Sequence, residues 1–486
     1  METTALSNVD VLVVGGGISG LAAACILAHD GASVELWEQD TRPGGKIGTQ
    51  WVDGYSLENA ATMVLNYLPE VREFLDSTGL EHYKTMRRPT AARYIVHDGR
   101  LVAVPNKLGE MISSPLWSTR GKFRLLAEPF IPRGGHERET VSEFITRRLG
   151  SELLTKAMGP YIAGPLASDP EIANAYACLP RLTTLEKRYG SLTMGVLAHR
   201  LSGRRSANPN ETFSFTGGMG TLVDALGNNP AVDFRYGARA TELTRDGKTW
   251  VASAETERSS MTCRARQIIL SVPADVAANL LDTVDRELAA PLKDIEYAPI
   301  TVVHTGFSNA ATRHPLDGGG FLTPPRSRYS ASGCLWMSSV FPERAPAGKI
   351  LLTSYLGGAC SPRACTWDDP LTIARTMDSL EELIGLAEEP EMVRVVRHPR
   401  ALPLYHNAYY SRMRAMDDRI RDLPGLHLEA NYRGGVSIRD RIARAYKVAE
   451  KIRQDMDRTP RNVPPPSRSL DPGLGLREGR GVPTVS

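Results

Sequence analysis

No apolar run in this 486-residue chain reaches the roughly 18 residues that a spanning helix needs, which argues against a helical integral membrane protein. The early apolar stretch from Val11 to Leu27 is broken by Gly15, Gly16, Gly17 and Gly20. No basic segment precedes it, so it is a poor secretory signal. Cysteine is scarce. Cys25, Cys178, Cys263, Cys334, Cys360 and Cys365 are spread along the chain without a CxxC pair, which leaves a zinc site or a disulfide framework unsupported. Reduced, packed thiols in a cytoplasmic protein are the expectation, with no metal. Charge excess is absent too. Lys and Arg number 58 against 55 Asp and Glu, for a net charge of +3, too balanced for a dedicated nucleic-acid binder. No internal repeat is evident. With 42% hydrophobic and 23% charged residues the composition is globular, and the length allows about two to four domains.

The strongest signal lies in the first forty-six residues. Val11-Leu-Val-Val14 has the pattern of a buried parallel strand. Gly15-Gly16-Gly17-Ile18-Ser19-Gly20 follows at once and opens a helical run, Leu21 to His29. In this G-x-G-x-x-G pattern Gly15 permits a tight turn, Gly17 lets backbone approach a pyrophosphate, and Gly20 lets helix and strand lie close. Amides at the helix start then face the phosphates. A second strand, Ser33 to Glu38, puts Glu38 18 residues after Gly20, where an acid accepts hydrogen bonds from a ribose. Arg42-Pro43-Gly44-Gly45-Lys46 comes next. It resembles the R-x-G-G element of glutathione-reductase-like flavoproteins, including the amine oxidases, which favours FAD over NAD.

Further along, a helix is expected from about Leu68 to Thr78, ended by Gly79. Asp98-Gly99 between β-rich runs signals a hairpin. The pattern is helical from about Lys107 to Leu201, with a capping box at Thr140-x-x-Glu143. Ile268 to Pro273 reads as a buried strand leading into a helix that runs to Leu281. Thr301 to Tyr355 reads as strands and turns, with Gly318 to Gly320 among them. Leu371 to Ile384 is helical, and Gly425 to Ile442 returns to a strand, a glycine turn and a helix start. The last thirty residues, with Pro464-Pro-Pro466, read as a disordered tail.

The chain resembles the protoporphyrinogen oxidase family from about residue 8 to about 453. Glu139-Thr-Val-Ser-Glu-Phe-Ile-Thr-Arg-Arg-Leu-Gly150 is similar to that family's first central helix. Pro160-Tyr-Ile-Ala-Gly164, Ser168-Asp-Pro-Glu171 and Leu185-Glu-Lys-Arg-Tyr-Gly-Ser191 continue the likeness. Phe213 to Leu222 resembles the return into the FAD domain, and Asn431 to Asp440 the flavin-ring segment.

The resemblance implies an α/β fold, in which a discontinuous Rossmann-like FAD-binding domain carries an inserted mixed α+β substrate domain and a helical subdomain. The implied boundaries are 1–85, 205–300 and 395–455 for the FAD domain, 86–106 and 301–394 for the substrate domain, and 107–204 for the helices. Residues 457–486 form the tail. It implies non-covalent FAD contacts at Gly15, Gly17, Gly20, Glu38, Arg42, Gly44, Gly45, Lys46, Ala240, Val436 and Ser437. Arg93 matches an arginine that holds a substrate carboxylate, and Leu322 an apolar residue packed on the macrocycle. Gly319 stands where some members have an aromatic residue, and Tyr355 where they have a methionine. Glu58-Asn59-Ala60-Ala61 replaces a Glu-x-Gly-Pro sequence near the flavin. Ala430 and Ala445 stand for usual glycines, and Arg441 for a usual cysteine.

The implied activity is oxidation of a porphyrinogen, with hydride equivalents passing to the flavin and O2 becoming H2O2. The altered positions keep a second reading open, a relative that oxidises another reduced heterocycle or natural-product intermediate. A third is a flavin-holding protein without catalysis. Redox chemistry belongs to the cofactor, so no catalytic side chain is assigned, His97, His199 and His406 included. The mixed basic and apolar run Arg120 to Ile131 fits an ordinary amphipathic helix or an interfacial one. A small-molecule substrate is expected, nucleic acid is not, and peripheral association with the inner face of the membrane stays open. The oligomeric state is not legible.

Overall fold

The computed structural model describes residues 5–457, apart from 90–91, 106–109, 111–112, 202–209, 387 and 407. The tail expected from residue 457 lies outside the described residues beyond Asp457. Two seven-stranded sheets organise the chain.

The first sheet begins with the apolar run at Val11. The strand Ala5–Val14 pairs in parallel with Val34–Glu38 on one side and Ser260–Leu270 on the other. Val232–Tyr236 extends the first side in parallel. Leu426–Leu428 runs parallel to the end of Ser260–Leu270. Alternate residues of the central strand serve two cores. Val11 and Val13 pack against the helix Ile18–His29 and the C-terminal helix Ile438–Asp457. Leu12 and Val14 pack against Trp250, Ile268 and the helices Ala274–Leu281 and Arg286–Lys293. Burial on both faces is why these strands read as unbroken apolar runs.

The sheet continues as an antiparallel meander, Arg239–Asp246, Thr249–Glu255 and Ser260–Leu270. Only the last few residues of that meander carried a strand signal. The rest alternates between buried and exposed positions and has no concentrated apolar run.

The second sheet runs in the order Met392–Pro403, Tyr297–Ser308, Lys349–Gly357, Ala331–Trp336, Gly318–Leu322, Ala92–His97, Arg100–Ala103. Neighbours are antiparallel, except that Gly318–Leu322 runs parallel to Ala92–His97. The hairpin at Asp98-Gly99 is present, with φ of 50° and 75° at the two turn residues. The boundaries expected near 301 and 395 both fall inside strands of this sheet. Between the sheets sit the hairpin Thr49–Val52/Tyr55–Glu58 and a small sheet of Val64–Asn66, Glu211–Phe215 and Lys84–Met86.

The central segment is helical. After the helix Thr119–Leu126, the helix Val141–Leu149 has the reciprocal capping box. Glu143 N–H donates to Thr140 Oγ1 at 3.2 Å, and Thr140 N–H to Glu143 Oε2 at 2.8 Å. Among the described residues no helix is long and apolar enough to cross a membrane.

Candidate active site

The candidate cofactor residues gather where the parallel strands of the first sheet end. In open α/β sheets that edge is where ligands bind. Gly15 has a φ of 108°, a turn only glycine adopts without strain. A Cβ on Gly20 would lie 2.0 Å from the Gly15 carbonyl oxygen, so close packing of helix on strand requires its absence. A Cβ on Gly17 would meet nothing within 4 Å. The first and last glycines shape the fold, and the middle one borders open space. No side chain caps the helix that starts at Ile18, and no acid sits in its first turn, which leaves its first amides without a side-chain partner.

Around this opening the loop 43–47 closes. Gly44 N–H donates to Gly16 O at 2.8 Å, and Gly45 stands with its Cβ position 3.6 Å from Gly17 Cα. Arg42 braces the loop through the carbonyls of Pro43, Gly45 and Ile47, at 3.0, 2.8 and 3.0 Å. The Lys46 ammonium reaches the other way, to Ala401 O of the second sheet at 2.9 Å. Burial and nearby Arg400 lower its pKa to about 8. Glu38 is buried at the end of its strand and accepts from Gly16 N–H at 2.6 Å and Asp40 N–H at 2.8 Å. The strand carrying Ala240 enters beside it, Ala238 N–H donating to Glu38 O. Val436 and Ser437 precede the C-terminal helix, whose Asp440 N–H donates to Ser437 Oγ at 3.2 Å.

A family model described as flavin containing amine oxidoreductase matches residues 18–452. The chain belongs to this family. Among the proteins this flavin oxidoreductase is similar to, protoporphyrinogen oxidase 2, chloroplastic/mitochondrial, of Arabidopsis thaliana is 30% identical, over 93% of this chain and 95% of the relative. The coproporphyrinogen III oxidase of Bacillus subtilis (strain 168) is 26% identical, over 89% and 95%. A crystal structure from Exiguobacterium sp. 255-15 superposes with a TM-score of 0.77 at 21% identity, over 93% of this chain and all of that one, a likeness of fold. The protein is thus an FAD-dependent oxidoreductase. The open space at Gly17, the uncapped amides and the buried Glu38 fit a dinucleotide there.

Of the candidate substrate residues in this oxidoreductase, three share one face of the second sheet. Cross-strand register places Ile95, Leu322, Gly333, Tyr355 and Val302 in one row. Arg93 lies two residues before Ile95 and projects from the same face. Gly319 is buried in the strand beside them. Arg93 is exposed, and its charge together with burial lowers the pKa of nearby Arg87. Two neighbouring guanidiniums suit an acidic group. Tyr355 is half-buried, with Thr62 near its hydroxyl.

Below that face is a junction that motif reading missed. Glu58 and Arg344 are 2% and 1% exposed and lie 3.2 Å apart. Glu58 also accepts from Met219 N–H at 3.0 Å and Thr49 Oγ1–H at 2.7 Å. Arg344 donates to Ser56 Oγ, Ser214 Oγ and Phe215 O. The pair anchors the start of the segment 59–62, whose Asn59 carbonyl accepts from His398 Nε2 at 2.7 Å. A buried arginine with no motif around it leaves no trace in sequence. The altered residues Ala60 and Ala61 were the only hint at this strap. Among the described residues no group of three or more His, Cys, Asp or Glu side chains could hold a metal ion.

Proposed function

We propose that this enzyme oxidises a porphyrinogen to the porphyrin, with O2 as the electron acceptor. The observation that carries this is the composite face: Arg93, Leu322 and Tyr355 come from separate strands onto one side of one sheet. The printed names of the Arabidopsis and Bacillus relatives support the substrate class. FAD, held without a covalent link, supplies a two-electron acceptor. Gly17 and Gly45 leave room for its pyrophosphate, Glu38 receives its ribose, and Ala240, Val436 and Ser437 line the space with backbone. Arg42 holds the loop that closes over it, and Lys46 ties that loop to the second sheet.

On the substrate side Arg93 pairs with a carboxylate, Leu322 packs on the ring, Gly319 leaves room, and Tyr355 presents a polar edge. Each cycle would remove a hydride from a bridging carbon and release one proton to solvent, and over three cycles four bridging C–H and two pyrrole N–H hydrogens are lost. O2 then takes up the two electrons with two protons, as H2O2. Repeated cycles give the aromatic ring. We assign the first sheet with its flanking helices to the cofactor, the second sheet to the substrate, and residues 107–204 to a helical cover.

The test is porphyrin fluorescence after aerobic mixing of the flavin-loaded protein with protoporphyrinogen IX and, separately, coproporphyrinogen III. The expected result is a rate proportional to enzyme and well above the blank. A rate equal to the blank with both substrates, from protein that holds FAD, overturns the proposal. Tyr355 favours a second reading in that event, a reduced heterocycle with a hydrogen-bonding group where the porphyrinogen is apolar.

A further inference from the structure

The helical cover approaches the substrate face closely at Gly164. The turn of π-helix Leu154–Met158 leads into the short helix Gly159–Ala163, capped by Gly164. A Cβ on Gly164 would stand 2.7 Å from Leu322 Cδ2, against 3.1 Å from Pro160 O and 3.6 Å from Ser332 O. The Gly164 backbone does not itself demand glycine, since its φ is −76°. What excludes a side chain there is the tip of Leu322. Across the sheet, a Cβ on Gly333 would lie 2.9 Å from the same Cδ2 atom. The isobutyl group of Leu322 therefore sits in a slot bounded by two bare glycines, one on the cover and one on the neighbouring strand.

The slot is rigidly held. Gly164 N–H donates to Pro160 O at 2.9 Å, Ala167 N–H to Gly164 O at 3.0 Å, and Ala359 N–H to Ala167 O at 2.8 Å. Ala167 is buried with a φ of 49°, a strained conformation kept only because its surroundings fix it. Leu322 itself is half-buried, where a core leucine would be sealed. Its position is set by the slot, and it stands in one row with Tyr355 across Gly333.

We propose that Gly164 is a specificity-determining residue, which fixes the height of Leu322 over the substrate face by having no side chain. This rests on the reading of that face as the substrate site. A methyl group at 164 displaces the flexible tip of Leu322 into the substrate space and asks only a few tenths of an ångström of the Pro160 carbonyl. The effect belongs in KM, because the ring no longer fits under Leu322, while the flavin is untouched.

The test is a double-mutant cycle on the holoenzyme, with Gly164→Ala, Leu322→Ala and the double variant. Porphyrinogen kinetics, protoporphyrin IX affinity from quenching of protein fluorescence, and flavin content are read for each. Gly164→Ala should raise KM about ten-fold, the scale of one misplaced methyl group in an apolar pocket, with kcat and flavin content unchanged. In the Leu322→Ala background the same change should do nothing, because the atom it displaces is gone. An equal loss in both backgrounds overturns the proposal. If Gly164→Ala fails to retain flavin, the double variant must regain it; failure to do so also overturns it. If Leu322→Ala alone moves neither KM nor porphyrin affinity, the reading of the face has failed instead. A wild-type protein that neither turns over nor binds a porphyrin removes both.

Discussion

The proposed cofactor cradle is built mainly from one stretch of chain, Gly15 to Lys46, where glycine backbone leaves the room, and Ala240, Val436 and Ser437 join it from elsewhere. The substrate face draws Arg93, Leu322, Gly333 and Tyr355 from four strands spread over more than half the sequence, and works through side chains. In the cradle the shape is the absence of side chains, so nearly any substitution fills it. On the face each side chain can change alone while the sheet keeps its hydrogen bonds. The departures from the family pattern follow that division only in part, since Ala430, Arg441 and Ala445 stand in or beside the segment that resembles the family's flavin-ring segment. Ala60, Ala61, Gly319 and Tyr355 all lie on the second side or on the strap between the two, and the cradle from Gly15 to Lys46 carries none.

The sharpest way to break that comparison is at Gly17. A side chain there meets no protein atom within 4 Å of its Cβ, so Gly17→Glu should leave the fold intact and put bulk and negative charge where phosphates belong. Flavin absorbance of the purified variant should be lost altogether, with a far-ultraviolet circular dichroism spectrum like the wild type's. A yellow variant with normal flavin content refutes the cradle.

The next effect belongs to the link between the two regions. At pH 8, above the value of about 7 to which burial raises Glu58, Arg344→Met strands Glu58 as a buried, uncompensated charge, and losses of about 3–5 kcal/mol are usual for breaking such a pair from one side. The midpoint of urea unfolding should fall accordingly. Glu58→Gln keeps an acceptor for Met219 N–H and for Arg344, so its loss should be the smaller of the two. Equal losses would mean that the charge is not what the pocket is built around.

A smaller and more selective effect is expected on the face. Arg93→Ala should raise KM about ten-fold for a carboxylated porphyrinogen, the order of one charge-assisted contact, and leave flavin content alone. Unchanged kinetics would remove Arg93 from the site.

The same division governs what was legible in sequence. The cradle could be read because strand, glycines, helix and acid follow one another, and each has a local reason. The hairpin at Asp98-Gly99 and the capping box at Thr140 and Glu143 were legible for that reason too. The face was visible only through resemblance, because strand register decides which residues share it and register is a property of the assembled sheet. The contact of Gly164 with Leu322 joins residues 158 positions apart, and the Glu58–Arg344 pair spans 286. No periodicity announces either. The meander from Arg239 to Leu270 escaped because its half-exposed strands dilute the apolar signal.

The smallest predicted effect concerns pH, and it separates two buried carboxylates that look alike. Glu58 and Glu128 are each nearly inaccessible and each paired with a buried arginine, Arg344 and Arg148. Burial raises Glu58 from 4.5 to about 7, against the pull of Arg344, Met219 N–H and Thr49. Burial also works against the charge of Glu128. There donors from Ser191 Oγ, Thr193 N–H and Leu192 N–H, at 2.7, 3.0 and 2.9 Å, outweigh it and hold the group at about 2.

The signs are opposite. A carboxyl whose folded pKa is raised holds its proton in the folded state where the unfolded chain has lost it. Its contribution to stability therefore declines as pH rises from about 4.5 through 7. A depressed carboxyl stabilises above its ordinary pKa, and that contribution disappears as pH falls from about 4.5 toward 2. Thermal midpoints of wild type, Glu58→Gln and Glu128→Gln across this range should show it. The advantage of wild type over Glu58→Gln should shrink between pH 4.5 and 7. Its advantage over Glu128→Gln should stay level there and shrink only below 4.5. Parallel curves for Glu58→Gln would mean that the Arg344 pairing outweighs burial, and that the junction under the substrate face is charged throughout.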